Sequence, residues 1–183
     1  MVSFKSLFFL ATAALQLVSA NPLAIRSLDA DLILVDLKAL DDTVKGLSKS
    51  IELYPGGAVE AGPILVAFSA VHIANRKAYG TACAIKNLTI SDSYTVLNYV
   101  SKTLGVDIPS GVKDLKAKKE ECVKSGLEKS VVSSLDLLKY DHESLSGALG
   151  KKLSQDQGVQ LEAYGVVKSI DDAIKEGIAG FSS

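Results

Sequence analysis

The sequence predicts an all-α fold, an antiparallel bundle of five or six long amphipathic helices around an elongated apolar core or tunnel. Apolar residues recur at three-four spacing along nearly the whole chain, sustained polar/apolar alternation occurs nowhere, and short turn signals join the periodic runs. Rods of this length joined by short turns pack most economically side by side, near the coiled-coil crossing angle of about 20°.

The first rod is predicted over residues 27–54. Ala30, Ile33, Leu37, Leu40, Val44, Leu47, Ile51 and Tyr54 form one unbroken stripe. Asp29 and Asp31 complement the positive end of its dipole, and Tyr54-Pro55-Gly56-Gly57 ends it. The second rod begins between Ala58 and Pro63 and reaches about Lys86, with Ile64, Phe68, Val71, Ala78, Ala82 and Ile85 inward and Pro63 suited to a first turn. A shorter helix is expected from Asp92 to about Leu104, capped by Ser91, with Leu97, Val100 and Leu104 inward and Gly105 as its stop. Pro109 restarts the chain into a segment reaching Lys124, whose apolar face is Val112, Leu115, Cys122 and Val123. Ser125 with Glu128, and Ser154 with Gln157, have capping-box spacing and predict two further starts. The fifth helix, about 126–149, carries Val131, Leu135, Leu138, Leu145 and Leu149 and stops at Gly150; the sixth carries Val159, Val166, Ile170, Ile174, Ile178 and Phe181. Fusion of the fourth and fifth would reduce six helices to five.

The chain has 183 residues, 48% of them hydrophobic, which suits one folded domain and excludes a disordered chain. A formal charge of −1 leaves no field to draw it onto nucleic acid. Two His, two Cys and one Met are too few for a transition-metal or haem centre, and no cofactor is expected. Residues 1–20 read as a secretory signal: Lys5, an apolar run from Leu7 to Val18, and Val18-Ser19-Ala20 before the cut. That run is too short to span a bilayer, so residues 21–183 are expected as one secreted, extracellular helical-bundle domain, monomeric and not membrane-spanning.

In an oxidising secretory route, Cys83 and Cys122 read either as a disulfide or as two buried thiols. Asn87-Leu88-Thr89 is an N-glycosylation acceptor, so a glycan is expected on Asn87.

Catalytic patterns are missing where they would be sought. No G-x-S-x-G elbow occurs, and Gly147-Ala148-Leu149-Gly150-Lys151-Lys152 lacks the spacing and hydroxyl of a phosphate loop. His142-Glu143 has no second His to complete a zinc-protease motif. The adjacent carboxylates Asp41-Asp42 and Asp171-Asp172 point about 100° apart on a helix and form no dyad by themselves. The chain is therefore read as a non-enzyme.

The predicted interior is built from Ala, Val, Leu and Ile with few aromatic rings. Such a bundle either draws its helices together or leaves a lengthwise void, and an apolar void favours an apolar occupant. The residues expected to line it are Leu37, Leu40, Val44, Phe68, Val71, Ile85, Leu97, Val100, Leu115, Leu135, Leu138, Val166 and Ile170. His142, between Leu138 and Leu145, and Asn75, between Val71 and Ala78, interrupt the stripes and are candidates to meet a lipid carboxylate. The plainer reading puts His142 on a frayed turn facing water and Asn75 in a local or solvated hydrogen bond. Tyr54 and Tyr99 are further polar candidates, or core-edge rings. Lys113, Lys116, Lys118, Lys119, Lys124 and Lys129 form a solvated face or contact anionic headgroups or acidic wall polymers.

A signal peptide, an Asp-rich start to the first rod, the stretch Val112-Lys113-Asp114-Leu115-Lys116-Ala117-Lys118-Lys119, and the run from Leu127 to Lys139 together resemble the fungal hydrophobic surface-binding protein A family, which includes the antigenic cell wall galactomannoproteins. The resemblance spans Leu28 to Phe181 and rests on order and spacing. It implies a secreted fungal bundle that binds hydrophobic surfaces, or fatty acids in a central tunnel. It also leaves room for a structural, antigenic wall mannoprotein bound to cell wall polysaccharide, or an accessory that recruits a secreted esterase to a hydrophobic polymer. The Ser/Thr-rich tail of some relatives is missing, which favours a soluble form over wall anchoring.

Overall fold

The computed structural model describes residues 26–182, so the signal segment 1–20 lies outside the described residues. Within them the chain forms α1 (Leu28–Glu52), α2 (Gly62–Ala84), α3 (Ile90–Lys102), α4 (Leu104–Ala117), α5 (Lys119–Lys124), α6 (Glu128–Gly150) and α7 (Gln157–Ser182), with no strand. The all-α expectation holds.

α1 starts where its sequence says it should. Ser27 Oγ accepts the Ala30 N–H at 3.2 Å, Asp29 and Asp31 occupy the first turn, and the predicted stripe from Ala30 to Ile51 is buried. Pro63 sits in the first turn of α2 as expected. Around a shared core, α1 packs on α2, α2 on α6, α6 on α7, α7 on α4, and α4 on α1, closing a ring. α3, α4 and α5 follow one another along a single broken rod, so the seven helices make a five-rod bundle.

Tertiary contacts fix the directions. Gly105 approaches Val166 and Gly177 approaches Val112, so α4 and α7 run the same way. The Leu88 N–H donates to the Lys152 carbonyl at 2.7 Å, while Tyr54, after α1, meets Ser125, before α6; α2 and α6 are therefore also parallel. Consecutive rods such as α1 and α2, or α6 and α7, are antiparallel.

Several expected boundaries move. Thr89, not Ser91, caps α3, its Oγ1 accepting the Asp92 N–H at 3.1 Å. Gly105 does not stop that helix; the chain bends at Thr103 (φ −121°, ψ −93°), and a Cβ on Gly105 would stand 3.2 Å from the Val100 carbonyl. Pro109 lies inside α4 and does not restart the chain. Neither predicted capping box forms. Ser125 Oγ accepts from the Gly57 N–H (2.8 Å) and the Tyr54 hydroxyl (2.9 Å), tying the α1–α2 loop to the start of α6, and Asp156 Oδ1 replaces Ser154 by accepting the Gly158 and Val159 N–H groups. Gly150 is the last residue of α6, not a stop beyond it.

The disulfide reading is overturned. Cys83 and Cys122 are free thiols, the first exposed near the C-terminal end of α2 and the second buried in α5. α5 sits by the Tyr54 end of the bundle, where α2 begins, and Cys83 lies roughly 30 Å along α2 from there at 1.5 Å per residue. A disulfide needs Cα atoms within about 7 Å. Burial pushes the Cys122 thiol above its ordinary pKa, as suits an inert core group. Asn87 is exposed in the loop between α2 and α3.

Buried acids bolt the ring together, which hydropathy alone did not anticipate. Asp36 on α1 accepts from the Thr81 hydroxyl (2.6 Å) and the Lys77 ammonium (2.9 Å) on α2; burial alone would raise its pKa, but these two donors hold it below the usual carboxylate value. Asp41 pairs with Lys45 at 2.6 Å beside Asp107 of α4; burial, reinforced by that second carboxylate and only partly offset by Lys45, pushes it up. Asp141 on α6, with no exposed surface, lies 2.5 Å from His72 Nδ1 and 3.9 Å from Arg76 on α2.

Candidate functional site: an apolar axial cavity

Each rod turns its apolar stripe toward the bundle axis, and the stripes do not meet completely. A cavity of about 140 Å³ remains, walled by α1, α2, α3, α4, α6 and α7. Of the residues expected to line it, Leu37, Leu40, Val44, Phe68, Val71, Leu97, Val100, Leu115, Leu135, Leu138, Val166 and Ile170 do so. Ile85 does not. It is buried just past the end of α2, where the chain has already turned extended. Unfilled, a void of this volume costs roughly 3 kcal/mol relative to a packed core.

Both stripe-breaking polar residues reach the wall. Asn75 is only 7% exposed, and its Oδ1 has no hydrogen-bond partner. His142 lies in the middle of an uninterrupted α6, not on a frayed turn, and is half-buried. Its Nε2 is 3.2 Å from the Val167 carbonyl on α7. A carbonyl only accepts, so Nε2 carries the hydrogen and Nδ1 is left with its lone pair. Burial lowers the His142 pKa, more than the neighbouring Asp171 and Glu143 carboxylates raise it.

A His whose folded pKa lies below its unfolded value binds fewer protons in the native state, so its contribution is full above about pH 6.5 and is lost as pH falls through the folded value. Acidification below that pH should lower Tm by no more than roughly 3–5 °C per pH unit, the limit for one proton in a chain of this size. His142→Phe should flatten that part of the curve, as read by thermal unfolding from pH 7.5 to 5; an unchanged slope would clear His142 of the effect.

Tyr54 and Tyr99 take no part in the cavity wall. The Tyr54 hydroxyl is spent on the Gly57 carbonyl and Ser125, and its carbonyl accepts from Lys118 at 2.9 Å. Of the remaining lysine face, Lys116 pairs with Glu176 and Lys124 with Glu120 at the surface. Ser48, Ser146, Ala163 and Val167 also line the cavity and were not anticipated. Ala163 and Val167 stand seven and three residues before Ile170, the spacing of one helix face. The serines gave no hydropathy signal.

Among the described residues no Lys, Arg, Asp or Glu lines the cavity, no His, Cys, Asp and Glu side chains gather as a metal site would, and no helix is long and apolar enough to cross a membrane.

Three solved structures share this architecture. AFMP4P in complex with palmitic acid is 25% identical, with a TM-score of 0.79 over 83% of this chain and 99% of that one. Ligand-binding domain 1 of the Penicillium marneffei MP1 protein, complexed with arachidonic acids, is 19% identical with a TM-score of 0.79, covering 85% of this chain and 99% of that one. Domain 2 of the same protein, with multiple arachidonic acids, is 20% identical with a TM-score of 0.79 over 87% of this chain and 99% of that one. The search of curated proteins gives no match. The profile of the hydrophobic surface binding protein A family matches residues 30–151, running from the first buried turn of α1 to the end of α6, and the chain belongs to that family.

Proposed function

We propose that this protein is a non-catalytic, secreted binder of single-chain lipids such as fatty acids, which it holds along the axis of its bundle. The observation that carries this reading is the axial cavity, with apolar walls from six helices and no charged side chain on them. Burying a hydrocarbon chain there gains roughly 25 cal/mol per Å² removed from water and offsets the cost of the void. A volume near 140 Å³ compares with cavities that hold a single aromatic ring. A long acyl chain is therefore admitted by spreading the rods, against the polar ties of Asp36, Asp41 and Asp141 between them. The resemblance to AFMP4P, whose structure contains palmitic acid, supports the same ligand class.

A second contact mode is favoured by the outer face of α1. Leu28 (74% exposed), Leu32 (48%) and Val35 (62%) recur at helical spacing on its solvent side, a stripe able to lie against wax or polyester with the bundle closed. Secretion through residues 1–20 and a glycan on Asn87 complete this reading.

One experiment separates the two modes. Ala163→Phe places a ring in the cavity and should weaken palmitate binding about tenfold or more, with Tm unchanged or raised and depletion onto polyester particles intact. Leu32→Lys with Val35→Lys should do the reverse. Palmitate binding unaffected by Ala163→Phe would remove the cavity from the function.

A further inference from the structure

The wall of the axial cavity has a thin place. Ser48 on α1 lines the cavity and also an open groove of about 560 Å³ between α1 and α4, and Ile51, one turn on, does the same. Opposite Ser48 stands Gly111 of α4, itself on the cavity wall, where a Cβ would come within 2.8 Å of Ser48 Oγ. The partition between cavity and groove is one small side chain against bare backbone. On the other side of α4 the seam is filled by branched apolar groups, Val112 lying on Gly177 and Val166 near Gly105.

The rods also differ in how they are fastened. α1 is tied to α2 by Asp36 with Thr81 and Lys77, α2 to α6 by Asp141 with His72, and α6 to α7 by His142 Nε2–H on the Val167 carbonyl. Across the α1–α4 seam, Lys45 is held by Asp41 at 2.6 Å and reaches Asp107 of α4 only at 3.6 Å, so two carboxylates share one half-exposed ammonium. Water screens such a pair, and the second carboxylate opposes the first. α4 is also delimited as a unit. It lies between breaks at Thr103 and Lys118, and Pro109 within it has no backbone N–H to donate. Lys118 Nζ on the Tyr54 carbonyl at 2.9 Å pins its C-terminal end and makes that end the pivot.

Resting on the lipid-binding reading above, we infer that a single-chain lipid enters and leaves the axial cavity sideways between α1 and α4, through a portal opened when α4 swings and parts Ser48 from Gly111. The polar groove outside keeps the head group in water while the hydrocarbon passes the neck.

A portal sets rates and leaves affinity alone, so the test follows association and release of cis-parinaric acid, a fluorescent straight-chain fatty acid, by stopped flow. The approach at Ser48 and Gly111 suits a disulfide, whose β-carbons stand about 4 Å apart. Ser48→Cys with Gly111→Cys, in a Cys83→Ser background that removes the exposed thiol, should on oxidation slow association and release together about tenfold or more, with Kd held within about twofold, and reductant should restore both rates. Val112→Cys with Gly177→Cys, bridging α4 to α7, should leave exchange intact, because α4 can still part from α1. Ser48→Ala needs no oxidation, thins the partition and should raise both rates about threefold at unchanged Kd. Rates untouched by the first bridge and by Ser48→Ala overturn the inference and leave the lipid-binding reading intact. Exchange that stops with the second bridge and not the first also overturns it and moves the portal to the α7 side of α4. Failure of the protein without substitutions to bind parinaric acid removes the lipid-binding reading and this inference together.

Discussion

Leu135→Ala is expected to cost about 3–4 kcal/mol of stability, near the upper part of the range for a buried leucine, and to lower Tm by about 10 °C. Leu135 is 2% exposed, stands on the cavity wall, and packs against α7 so closely that a Cβ on Gly177 would lie 3.2 Å from its Cδ1. Its removal joins new volume to a void that already exists, so the usual partial collapse gives little relief. The same enlargement should make the variant more responsive to ligand. At a palmitate concentration about 100 times Kd, mass action returns roughly 2.7 kcal/mol, most of the deficit. Thermal unfolding with and without palmitate checks both parts. A loss under about 1 kcal/mol would mean that the α6–α7 wall closes over the missing side chain and that the cavity is not held open by packing.

His72→Ala should destabilise the protein by about 3 kcal/mol although His72 itself is a third exposed, because the damage falls on its partner. Asp141 has no exposed surface, its Oδ2 depends on His72 Nδ1, its Oδ1 has no hydrogen bond, and Arg76 stands 3.9 Å away with its guanidinium laid over the Tyr79 ring at 4.4 Å. Loss of the imidazole leaves a buried carboxylate facing one poorly placed cation. Asp141→Leu, in contrast, removes the charge that needs compensation and should fall within about 1 kcal/mol of wild type or be more stable. In the Asp141→Leu background, His72→Ala should then be nearly silent. Urea unfolding of the two single variants and the double gives the coupling directly, and additive losses would show that the pair does not act as a unit.

The contrast between these two sites shows what a linear sequence discloses. Leu135 was legible as a wall residue because it shares a three-four register with Val131, Leu138 and Leu145, and register is a property of one helix. The same reasoning marked Asn75 and His142 as stripe positions but left them open between cavity and solvent. Asp141, beside His142, gave no such signal. A carboxylate in an amphipathic run reads as solvent-facing, and only the parallel packing of α2 on α6 supplies the His72 that lets it be buried. Asp36 repeats the pattern with Thr81 and Lys77.

Caps failed for a related reason. Ser125 has the right neighbours in sequence for a capping box, but the α1–α2 loop offers it the Tyr54 hydroxyl and the Gly57 N–H, and α6 begins at Glu128 without it. A hydroxyl has few lone pairs and one proton, so a tertiary partner that claims them removes the local motif. Of the two readings open for the cysteines, pairing fails on distance, since compartment chemistry favours it but the residues belong to opposite ends of the bundle; the free-thiol reading fits, with Cys83 exposed, not buried.

Helical class, the inward stripe of each rod and the aliphatic character of the interior were determined by the sequence alone, since each follows from a 3.6-residue period and side-chain type within a single segment. The order of the rods around the ring, the parallel α4–α7 and α2–α6 pairs, the volume left along the axis and the unmatched acceptor at Asn75 were decided only by the tertiary structure. These depend on which distant surfaces meet and how closely, and bulk, charge and hydrogen-bond partners from remote parts of the chain settle that jointly.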